Sequence, residues 1–127
     1  MKTKILIITD VSLFSNIFIP LFRNQCTQCQ IDVCDTVFKI DTLFNQNDYD
    51  FVLVDGGIAQ LSCFEAIQHI HLTYQYNGPI WFFPEILTED YIQKSKIMGA
   101  TLIIPKPFDP LQVISDYFKL DSIAFRS

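Results

Sequence analysis

The sequence predicts an α/β domain in which five parallel strands alternate with helices. Short β-rich apolar runs alternate with helix-length amphipathic segments, the pattern of βαβ units. Three of those runs are almost unbroken in Ile, Val, Leu and Phe, as interior parallel strands covered on both faces require. The chain has 127 residues, 50% of them hydrophobic. That is enough to bury about two thirds of the surface exposed by the unfolded chain. A single domain spanning 1–127 therefore needs no disulfide or metal to hold it.

The first strand is expected at residues 4–8. Leu13, Phe14, Ile17, Phe18, Leu21 and Phe22 then recur at helical spacing, giving a first helix with an apolar stripe that Pro20 should kink or leave with one unpaired carbonyl. The second run, 30–34, is more polar and suits a sheet edge. A short helix at 39–45 leads to the third strand, 50–55. A helix at 62–72, a strand at 79–83 and a helix at 89–98 follow. Thr88 can cap that last helix and Gly99 can end it, where a positive φ is favoured. The fifth strand is expected at 101–105. Asp109 before Pro110 reads as an N-cap with proline at the first helical position, opening a helix at 110–120. Residues 121–127 are expected to form a frayed tail, with no output module beyond it.

Charge and pattern exclude several classes. Fourteen acidic against nine basic residues give a net charge of −5, a poor match for a polyanion, so no direct nucleic-acid partner is expected. The longest apolar stretch, 11–22, is broken by Ser12, Ser15, Asn16 and Pro20, so no membrane span is expected. The apolar run at 5–8 is too short for a signal peptide, and a cytoplasmic protein is expected. Cys26 and Cys29 have CxxC spacing, which suits a redox pair or half a zinc site. No second CxxC follows, and His69 and His71 are poorly spaced to clamp a tetrahedral metal on a helix. Ordinary reduced thiols are the expectation, with Cys34 in a buried strand.

In an open parallel sheet, ligands bind beyond the carboxyl ends of the strands. The residues there are Thr9-Asp10, Asp55-Gly56-Gly57, Pro84-Glu85 and Lys106-Pro107-Phe108. If the first and third strands are neighbours, Asp10 and Asp55 approach one another, and their repulsion calls for a cation. Mg²⁺ would suit, taking an oxygen from each Asp and the carbonyl of Gly57. Lys106 could supply a fixed positive charge to a phosphoryl oxygen.

Asp10, Asp55 and Lys106-Pro107-Phe108, placed on five β/α repeats, resemble the response-regulator receiver domains of two-component signalling over essentially the whole chain. The resemblance implies a three-layer (βα)₅ flavodoxin-like fold with strand order 2-1-3-4-5. It implies Asp55 as phosphoacceptor, Asp10 as a Mg²⁺ ligand and Lys106 as the phosphoryl contact. It also implies a histidine kinase or phosphotransfer protein as donor, and a downstream partner on the face made by helix four, strand five and helix five.

Six positions depart from that family's pattern. Thr9 stands where a second acid is usual, so metal affinity should be weak. Pro84 replaces the Ser or Thr whose hydroxyl bonds the phosphoryl group. Glu85 replaces a small residue, and its carboxylate could either restore metal-binding charge or repel a phosphoryl group. Ile103 replaces the aromatic rotamer switch, and Ala59 and Cys63 alter the loop after Asp55. Two functions follow. One is a phosphorelay receiver modified on Asp55 with Mg²⁺ assistance, without independent enzymatic turnover. The other is a pseudo-receiver that binds partners without phosphorylation. A flavoprotein fits less well, because Thr9-Asp-Val-Ser12 lacks the glycine of a phosphate loop.

Overall fold

In the computed structural model, which describes residues 2–26, 28–58 and 62–118, five parallel strands form one sheet in the order β2-β1-β3-β4-β5. They are β1 (Thr3–Ile8), β2 (Cys29–Cys34), β3 (Phe51–Asp55), β4 (Ile80–Phe83) and β5 (Leu102–Ile103). The helices are α1 (Ser12–Gln25), α2 (Val37–Phe44), α3 (Cys63–Thr73), α4 (Glu89–Met98) and α5 (Pro110–Val113). The order and the direction of every strand agree with the expectation above.

Period-two alternation explains the two cores. Successive strand residues point to opposite faces, and both faces of this sheet are covered. Ile5, Ile7, Phe51, Leu53, Trp81 and Phe83 join Phe14, Phe18 and Phe22 of α1 and Val113 of α5. Leu6, Ile8, Val52, Val54, Ile80 and Phe82 join Ile40 of α2 and Ala66, Ile67 and Ile70 of α3. Every residue of β3 and β4 is buried, which is why those runs read as continuous apolar sequence. The edge strand β2 is mostly half-buried and correspondingly more polar.

Local chemistry sets most boundaries. Thr88 accepts from the Tyr91 N–H at 3.2 Å and Asp109 from the Leu111 N–H at 3.0 Å, so both act as the expected caps. Gly99 closes α4 at φ 129°, a conformation that disfavours any side chain. α1 runs unbroken through Pro20, which is exposed.

Three expectations need correction. Leu13 is 67% exposed rather than part of the buried stripe, because α1 buries the narrower row Phe14, Phe18, Phe22. The fifth strand pairs over two residues instead of five. The last helix keeps α geometry to Val113 and continues as a π-helical segment, Ile114–Phe118, where Ile114 and Phe118 reach the core. Residues 119–120 of that helix, the 121–127 tail and Ala59 lie outside the described residues. Among those described, no helix is long and apolar enough to cross a membrane.

Candidate functional site

The carboxyl ends of β1, β3 and β4 and the segment after β5 meet around Asp55. This aspartate ends β3 and is 2% exposed, so its charge has to be compensated inside the protein. Its Oδ1 accepts from Lys106 Nζ at 2.6 Å and from the Gly57 N–H at 3.0 Å. Its Oδ2 accepts from the Thr9 hydroxyl at 2.8 Å. Thr9 Oγ1 in turn accepts from the Val11 N–H at 3.1 Å, which fixes its orientation. Among the described residues Oδ1 thus carries two donors and Oδ2 one, which leaves Oδ2 the more open of the two oxygens.

Strand register accounts for the role of Thr9. Ile8 pairs with Val54, which sets Thr9 beside Asp55 on the face that β1 and β3 share with α1. Asp10, one residue further on, is exposed and lines a second cleft with Ser12, Asp35 and Lys39. The hydrogen bond from the end of β1 to Asp55 is made by Thr9. That contact was legible from alternation once the strand order was known; chain order alone favoured the acid.

Gly56 explains how Glu85 arrives. Its N–H donates to the Phe83 carbonyl at 2.8 Å, and a Cβ there would stand 2.6 Å from that oxygen and 2.8 Å from Pro84 Cα. Such close approach of two backbones requires glycine. It lays the Glu85 carboxylate over Gly57, where a Cβ would meet Glu85 Oε1 at 2.7 Å. Lys106 then bridges two carboxylates, donating to Glu85 Oε1 as well as to Asp55. Burial opposes the charge on Lys106, but its bonds to Asp55 and Glu85 outweigh that and hold its pKa above the ordinary lysine value. Its ammonium also lies 5.7 Å from the centre of the Phe14 ring. The Lys106–Pro107 peptide bond is cis.

A divalent cation here would have to compete with an ammonium already in place. Among the described residues no three His, Cys, Asp or Glu side chains converge as a metal site. Gly57, expected to offer its carbonyl, uses its N–H on Asp55. The cation that the two carboxylates share is the ammonium of Lys106. Pro84 is buried and offers no donor, and Ile103 is half-buried in β5. Beside the cluster opens a cleft of about 320 Å³ whose walls include Val11, Leu13, Ile17 and Phe108. Val11 and Leu13 are 45% and 67% exposed, so the charged centre sits at the edge of an accessible apolar surface.

No protein-family model matches the chain, and no curated protein matches its sequence. Solved structures do match its fold. A two-component response regulator from Clostridium difficile superposes with a TM-score of 0.85 at 17% identity, covering 99% of this chain and 100% of that one. A CheY-like response regulator receiver domain protein from Methanospirillum hungatei gives 0.83 at 13% identity, covering 99% and 98%. The signal receiver domain of a DNA binding response regulator from Colwellia psychrerythraea gives 0.77 at 19% identity, covering 98% and 97%. The chain has the fold of receiver domains along its whole described length.

Proposed function

We propose that this chain is a receiver module of two-component signalling that takes a phosphoryl group onto Asp55 from a phosphohistidine of a histidine kinase or phosphotransfer protein. The observation that carries the reading is the pair Asp55–Lys106, 2.6 Å apart at the carboxyl edge of a receiver-type sheet. In the step, Asp55 Oδ2 attacks phosphorus in line, the P–N bond breaks, and its electrons leave on the imidazole nitrogen. Lys106 turns its charge from Asp55 to the phosphoryl oxygens. The apolar rim of Val11, Leu13 and Ile17 suits a donor whose histidine is carried on a helix.

Magnesium enters this reading as a weak ligand at most, because the Asp55 and Glu85 carboxylates are already countered by Lys106; Asp10 is the further acid that could contribute. The downstream partner would dock on the α4, β5 and α5 face. Ile97 and Leu111, 77% and 66% exposed there, support that choice. No direct nucleic-acid contact, no independent turnover and a cytoplasmic location belong to the same proposal.

Glu85 and Pro84 favour a second reading, a pseudo-receiver that binds its partner without phosphorylation. The carboxylate of Glu85 stands where a phosphoryl group would arrive, and Pro84 supplies no hydroxyl to hold it. Acetyl phosphate with Mg²⁺ separates the two. Gain of one phosphoryl mass, lost in Asp55→Asn, supports the receiver. An unmodified wild-type protein together with an unmodified Glu85→Ala variant supports the pseudo-receiver.

A further inference from the structure

The CxxC pair lies at the opposite edge of the sheet from Asp55 and has no part in the reading above. Cys26 is the C-cap of α1 and Cys29 the first residue of β2, paired in register with Thr3 at the start of β1. Both are half-buried, whereas Cys34 and Cys63 are buried. The Cys26 thiol donates to the Gln28 carbonyl at 3.3 Å, and Cys29 Sγ lies 4.0 Å from the Phe22 carbonyl. Two residues separate them across the junction from α1 to β2. Among the described residues no third His, Cys, Asp or Glu joins them to complete a metal site.

The two sulfurs have unequal surroundings. Burial alone would raise Cys26, but hydrogen bonds with Thr3, Cys29 and the Gln28 backbone outweigh it and bring its pKa below the ordinary thiol value. Burial, with the hydrogen bond to Cys26, pushes Cys29 up to about 12. One thiol is thus disposed to attack and its neighbour to follow, the division of labour of a dithiol that exchanges with disulfides.

We propose that Cys26 and Cys29 form a reversible intramolecular disulfide by exchange with a low-molecular-weight disulfide. The Cys26 thiolate attacks one sulfur of the oxidant RS–SR, so a Cys26–SR bond forms and one RS⁻ leaves. Cys29 then gives up its proton, its sulfur attacks that of Cys26, and the second RS⁻ leaves. The protein loses two hydrogens, and the oxidant is reduced to two thiols.

Oxidised glutathione is the probe, applied to the full chain, with alkylation of remaining thiols and mapping of the tryptic peptide between Arg23 and Lys39. The expected result is loss of two hydrogens linking Cys26 to Cys29, reversed by dithiothreitol. Cys29→Ser should accumulate a glutathione adduct on Cys26, whereas Cys26→Ser should react roughly tenfold or more slowly at Cys29. Full alkylation of both wild-type thiols after oxidant would overturn the proposal. So would equal rates in the two variants, or a disulfide that engages Cys34.

Discussion

Thr9 illustrates how one residue changes the meaning of a site. By type it looks like the loss of an acid; in place, its hydroxyl bonds Asp55 Oδ2 at 2.8 Å and substitutes a neutral donor for a repelling charge. Lys106 is the counterpart. Replacing it with methionine leaves Asp55 buried with two neutral donors and a second carboxylate nearby. Stability in urea should fall by about 2 kcal/mol, below the roughly 3–5 kcal/mol typical of a fully buried pair because the lysine reaches solvent. An unchanged midpoint would show that the bridge contributes nothing. Glu85→Ala removes the carboxylate nearest the incoming group, and labelling of Asp55 by acetyl phosphate should become faster than in the wild type. Slower labelling would assign Glu85 a supporting role instead. Neither effect is legible from spacing, since it depends on where Gly56 lets β4 end.

At the scale of elements, α2 and α3 are tied by a polar strut that the sequence did not reveal. Asp41 Oδ1 contacts His69 Nε2 at 2.6 Å and accepts from the Tyr74 hydroxyl. The hydrogen bond with His69, then that with Tyr74, holds the Asp41 carboxyl below its ordinary pKa. A depressed carboxylate pKa adds stability above the unfolded-state value, and that stability disappears as pH falls through the folded value. Thermal midpoints of the wild type should therefore drop more steeply below about pH 4 than those of Asp41→Asn. Parallel curves would remove the strut from the account. The pairing joins residues 28 apart in sequence, on helices whose relative rotation no local pattern encodes. The caps Thr88 and Asp109 were readable, by contrast, because capping is decided within three residues of chain.

The whole molecule was the most legible level. Continuous apolar runs identified the two-sided strands, and their alternation divides the core into layers, Phe18 with Phe14, Phe22, Phe83 and Phe108 on one side. Phe18→Ala should cost about 3–5 kcal/mol, read as a fall in the urea midpoint; a loss below 1 kcal/mol would mean that this layer repacks. What could not be read was the last repeat. β5 pairs over two residues and the final helix changes pitch at Ile114, because tertiary packing of Ile114 and Phe118 prevails over helical propensity. The same limit applies to Asp10, whose side of the sheet is set beyond the end of the strand.

Reductive trapping tests the central claim most directly. After acetyl phosphate with Mg²⁺, borohydride converts a phosphoaspartate to homoserine, and peptide mapping reads the position. The account predicts homoserine at position 55, and none in Asp55→Asn. Unconverted Asp55, or conversion at Asp10 instead, would contradict it.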